Sequence, residues 1–75
     1  MNENFDLMYE TQTAQVLEYL KTGATLSQLE ALNLFGSLRL SSIIHRLRKR
    51  GVKIITTMQE RESGAAYAVY SLARD

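Results

Sequence analysis

The clearest pattern of apolar and polar positions in the chain lies at Leu40, Ile43, Ile44 and Leu47, the i, i+3, i+4, i+7 spacing of one helical stripe. At 100° per residue the opposite side carries Leu38, Ser42, His45 and Lys49, with Arg46 and Ser41 on its flanks. A helix over residues 37–50 is predicted, with one face for a core and one polar, cationic face. Gly51 ends it, and the period then changes from 3.6 to 2. "VKIITTM" places Val52, Ile54, Thr56 and Met58 on one side, and "AYAVYSL" alternates in the same way. Between them the polar run "QERESGA" carries Gly64, a turn signal for an antiparallel hairpin. Met58 is expected to pack within this hairpin.

Two shorter patterns precede these. "TQTAQVLEYLKTG" has Thr13, Val16, Leu17 and Leu20 on one stripe, with Thr11 as a candidate N-cap, Lys21 at the negative end and Gly23 to close the helix. "TLSQLEALNLFG" opens with an S-x-x-E capping box, Ser27 with Glu30, and a hydrophobic staple, Leu26 with Ala31. Leu29, Ala31, Leu32 and Phe35 are assigned to its inner face, and Gly36 to the turn that follows. The first ten residues have weak periodicity and read as a tail or arm, either partly disordered or docked through Phe5, Leu7 and Tyr9, and the sequence does not choose between an extra helix and a dimerisation arm. The resulting expectation is an α+β domain over residues 11–72, three helices followed by a two-stranded antiparallel hairpin, with a C-terminal tail at 73–75.

Composition narrows the options. Seventy-five residues make one small domain, and with no cysteine and a single histidine there is neither a disulfide framework nor the usual zinc ligand set. An aliphatic core must hold the fold, and a homodimer would help it. No apolar run has the length of a membrane span, and "MNENFDLMYE" lacks a signal-peptide core, so a cytoplasmic protein is expected. The formal net charge of +1 hides a strong asymmetry. Residues 31–59 contain no acid but hold Arg39, Arg46, Arg48, Lys49, Arg50 and Lys53. One basic face is predicted.

The wording of the chain resembles the small winged helix-turn-helix proteins of phages and prophages. The resemblance rests on a capped "LSxxEA" second helix, "FG" at the turn, an "RLSxxIxRLRxxG" third helix, a strand opening "VKIIT" and the ending "GxxYxVYSL". It implies a third helix in the major groove of double-stranded DNA and a wing hairpin beside the adjacent backbone or minor groove. Proteins of this kind include transcriptional regulators and excisionase-like architectural factors.

A recognition helix needs groups that reach base edges and cations that meet phosphates. Ser37, Leu38, Arg39, Ser41, Ser42, His45, Arg46, Lys49, Lys53 and, from the wing, Arg61 are the candidates. Arg46 suits guanine O6 and N7, while Ser42 and His45 can hydrogen-bond several bases. Leu38 suits a thymine methyl or packs against the second helix or a partner chain. Backbone amides near Ser37 are candidates for a phosphate. Arg48 and Arg50 are expected to pair with Glu18 or Glu30, or to stabilise the helix C-terminus. Of Tyr67 and Tyr70, on opposite faces of the last strand, one is expected in the core and one exposed.

The plainer reading of the basic run is a solvated charged face; the alternative function is a winged helix that binds another protein, favoured by the modest net charge and by Glu60 and Glu62 around Arg61 in the wing loop. Scattered acids, a lone histidine and no glycine-rich phosphate loop argue against an enzyme and against a cofactor.

Overall fold

The structure, a computed structural model, describes residues 3–73, with side chains from Tyr9 onward. Six elements follow in order: α1 (Glu3–Lys21), β1 (Leu26–Ser27), α2 (Gln28–Phe35), α3 (Leu40–Lys49), β2 (Ile54–Glu60) and β3 (Ala66–Leu72). The predicted order of three helices and a hairpin is present, with an extra strand and changed helix boundaries.

In α1 the expected stripe faces inward: Thr13, Val16 and Leu20 are fully buried and Leu17 is half-buried. Thr13 is tolerated there because its hydroxyl donates to the Tyr9 carbonyl one turn back, at 2.8 Å. The helix begins about two turns earlier than predicted. Thr11 therefore lies inside it rather than at its N-cap, and residues 3–10 are continuous with the helix rather than a separate tail. Tertiary contact overrides weak local patterning here, since Tyr9 packs against the core from this extension. Phe5 and Leu7, expected to dock it, lie outside the described side chains. At the other end Thr22 and Gly23 donate their amides to the Tyr19 and Leu20 carbonyls, at 3.2 and 3.0 Å.

The capping box of α2 forms as written in the sequence. Ser27 Oγ accepts from the Glu30 amide at 3.3 Å, and Glu30 Oε1 accepts from the Ser27 amide at 3.0 Å. Leu26 and Ala31, the staple pair, are both fully buried. The single inner face expected of this helix does not form: Leu29 is 53% and Leu32 40% exposed. Residues 29 and 31 lie about 200° apart around a helix, so both cannot point inward. Ala31 takes the inner position, and Phe35 sits half-buried at the end with its ring edge-on to Tyr19, 5.7 Å between centroids.

Gly36 then adopts φ +66°, the left-handed conformation that residues with a Cβ resist, and donates its amide to the Leu32 carbonyl at 2.9 Å. α3 begins at Leu40 and not at Ser37. Ser37 is buried, and its hydroxyl accepts the Arg39 amide at 3.2 Å. From α2, Gln28 donates to the Ser37 carbonyl at 2.7 Å and accepts the Leu40 amide at 3.0 Å. These side chains satisfy backbone groups that a helix over 37–39 would have used, so the helix starts after them.

Leu40, Ile43, Ile44 and Leu47 are all at most 1% exposed. With Val16, Leu20, Leu26, Ala31 and Ile54 they form the core, to which Val52, Tyr70 and Leu72 add partly buried surface. The sheet has three antiparallel strands in the order β1-β3-β2, where two were expected. The added strand is only Leu26–Ser27, paired with Tyr70 and Val69. The N-cap conformation of Ser27, φ −105° and ψ 169°, is already that of a strand, so one residue serves both elements. In the hairpin Ile54 stands opposite Leu72 and Thr56 opposite Tyr70. Val52 precedes β2 and donates its amide to Leu47 at 3.0 Å. Met58 is 61% exposed and does not pack in the hairpin as expected: it shares a side of β2 with buried Ile54 but lies further along the strand, where the residues from Ile55 to Glu60 are all exposed. The loop closes through the Arg61 amide to Ala65 and the Gly64 amide to Arg61, at 2.9 and 2.8 Å.

Candidate nucleic-acid interface

Burying four residues of α3 fixes which way the rest of the helix points. Ser41, Ser42, His45 and Lys49 are exposed on the side away from the core. With Tyr9 and Arg46 they line an open depression of about 410 Å³ between α3 and the beginning of α1. The helix carries no acid of its own, and the roughly 10–12 Å diameter of an α-helix with its side chains suits a major groove about 12 Å wide. Ser41 also borders a second depression, of about 250 Å³, whose wall includes Gln28, Tyr67 and Arg61. Arg61 therefore lies on the same side of the molecule as the outer face of α3. Its guanidinium stacks on the Tyr67 ring, 4.8 Å from the centroid, and Tyr67 donates its hydroxyl to Gln59 Oε1 at 3.0 Å. A helix–turn–helix unit, an exposed polar face on its second helix and a hairpin on the same side are now in place. Residues 11–75 match a family described as the winged helix-turn-helix domain. The chain belongs to this family. Neither a search of curated proteins nor one of solved structures returned a match. Membership points to DNA binding.

On this winged helix the candidate residues separate into three groups. Ser41, Ser42, His45 and Lys49 cluster as expected, and Lys49 makes no ion pair among the described residues. Lys53, in the link between α3 and β2, and Arg39, at the N-cap of α3, are also exposed. Leu38 is 76% exposed in the turn before α3, so it neither packs on α2 nor occupies the helical face assigned to it.

Further expectations are corrected. Ser37 points inward, and the neighbouring amides of Arg39 and Leu40 are already held by Ser37 Oγ and Gln28 Oε1. The phosphate site expected on the amides near Ser37 therefore does not form. Arg48 and Arg50 pair with neither Glu18 nor Glu30. Glu18 pairs with Lys21 at 3.4 Å, and Glu30 is committed to its cap. Arg48 instead donates to the Ile54 carbonyl at 2.7 Å and to Thr56 Oγ1 at 2.8 Å, tying the end of α3 to the first strand of the wing.

Arg46 is half-buried rather than open. It forms an ion pair with Glu10 and lies over the Tyr9 ring, 4.8 Å from the centroid. Arg50 shares the same carboxylate, donating to both oxygens at 3.2 Å. Tyr70 packs on the core as expected for one of the two tyrosines, whereas Tyr67 is half-buried instead of exposed, because Arg61 covers it. Sequence reasoning missed Glu10 and Gln28, and gave Tyr9 as a docking residue without its contact to Arg46. A glutamine directly after a capping serine is a weak local signal, and the approach of Glu10 to residues 36 and 40 positions away has no local signal at all. Among the described residues no helix is long and apolar enough to cross a membrane.

Proposed function

We propose that this winged helix binds double-stranded DNA with the outer face of α3 in the major groove, as a transcriptional regulator of the phage or prophage kind. The observation that carries the reading is the division of α3: four residues wholly in the core, and Ser41, Ser42, His45 and Lys49 grouped on an acid-free outer face. Ser42 and His45 serve as base-edge donors and acceptors. Arg39, Lys49 and Lys53 meet phosphates along the groove, and Arg61 reaches the adjacent backbone from the wing. Arg46 is the candidate for guanine once it leaves Glu10. The reading is of a binding protein and not an enzyme, acting in the cytoplasm without a cofactor. A helix of this length reads a short half-site, so two copies on a palindromic or repeated site would supply specificity.

A second reading draws on α2. Leu29, Leu32 and Leu34 are 53%, 40% and 53% exposed on this short helix, a composition suited to contact with another protein. Fluorescence-anisotropy titration with mixed-sequence duplex separates the two readings. If four cations reach phosphates, affinity should fall on the order of a hundredfold between about 50 and 200 mM salt. Absence of binding at the lower salt would remove the DNA reading and leave the protein-contact surface of α2.

A further inference from the structure

The first eight residues of α1, positions 3–10, precede the segment that matches the family. Their last turn reaches α3. Glu10 receives both Nη2 contacts from Arg50 at 3.2 Å, forms an ion pair with Arg46, and stands beside Tyr9, whose ring supports the Arg46 guanidinium. None of these three charges is sealed from water: the side chains of Arg46, Arg50 and Glu10 are 38%, 48% and 45% exposed. A carboxylate that binds two guanidiniums at an open, solvated edge of α3 offers them the geometry and charge that a DNA phosphate would offer.

We infer that Glu10 is a specificity-determining residue that competes with DNA phosphate for Arg46 and Arg50. The inference rests on the proposed docking of α3 in the major groove. While Glu10 holds the two arginines, its single negative charge cancels one of their two positive charges, so the pair adds less to generic phosphate tracking, because a cation already neutralised by a carboxylate releases no condensed counterions from DNA. Binding of mixed-sequence duplex is thereby kept weak. A site whose bases satisfy Arg46 directly returns more than the lost ion pair, since a bidentate contact to guanine adds to the exchange of anions. The glutamate thus lowers affinity for every sequence and leaves the cognate one least affected. Tyr9 keeps its hold on the Arg46 side chain when the carboxylate is displaced, because its contact is with the face of the guanidinium and leaves the edge donors available.

The test is the salt dependence of mixed-sequence duplex binding for the wild type, Glu10→Gln, and Glu10→Gln in an Arg46→Gln/Arg50→Gln background. Glutamine keeps the size and hydrogen-bonding capacity of the side chain and removes its charge. An exposed ion pair is worth up to about a fivefold change in an equilibrium. Glu10→Gln should then tighten binding about threefold to tenfold at low salt, and steepen the log–log salt slope by about one, the contribution of one further phosphate contact. The gain should vanish when both arginines are replaced. Binding by Glu10→Gln where the wild type shows none would support the inference in its strongest form. Wild-type binding with no gain in Glu10→Gln, or a gain that survives loss of both arginines, would overturn the inference and leave the DNA reading intact. Failure of all three proteins to bind would overturn both. Circular-dichroism melting of each variant checks that the comparison is between folded proteins.

Discussion

α2 and α3 are neighbours joined by four residues, yet one was far easier to read than the other. In α3 the apolar residues occupy one stripe and everything else is polar or charged, so the pattern has a single solution, and the four stripe residues are buried. In α2 leucines stand at positions 29, 32 and 34, all around the helix, and the residue that enters the core is the small Ala31. Periodicity locates a face only when the other positions are polar. Where apolar residues are in excess, the capping chemistry at the helix end is the better guide, and the box at Ser27 and Glu30 was legible from four letters.

This contrast can be broken at several places, beginning with the largest expected effect. Ile44→Ala removes a side chain that is 1% exposed at the centre of the stripe and should cost about 2–5 kcal/mol in chemical denaturation. A loss well under about 1 kcal/mol would mean that α3 is turned the other way. Ser27→Ala removes the cap acceptor for the Glu30 amide and should cost about 1 kcal/mol, read in the same assay. For Lys49→Ala the fold should be unchanged, while the salt slope for duplex binding should fall by about 0.9, one phosphate contact. Leu34→Gln, on the exposed side of α2, should shift stability by no more than about 0.5 kcal/mol in either direction. A larger loss would show that the outer leucines of α2 are covered in solution.

What the sequence made legible follows from range. The stripe of α3, the capping box, the turn at Gly36 and the Gly64 hairpin are each set by residues a few positions apart, and all of them are present. The missing strand β1 has two residues, too few for any period, and exists only because β3 lies beside it. The start of α3 at Leu40 depends on Gln28, twelve positions away, whose side chain replaces a helical hydrogen bond. The early start of α1 and the sharing of Glu10 between Arg46 and Arg50 depend on residues 36 and 40 positions away. The outer face of the candidate interface was thus readable as a set of residue types, while the state of its arginines was not. A sequence shows which cations a helix carries; only the packed molecule shows which of them are already held.

The most direct measurement is an amide chemical-shift titration of the isotopically labelled protein with duplex DNA at low salt. The account predicts shifts concentrated at Ser41, Ser42, His45 and Lys49, extending to Lys53 and to Arg61 in the wing. Shifts confined to the outer leucines of α2, or to the middle of α1, would contradict it and place the working surface elsewhere on the molecule.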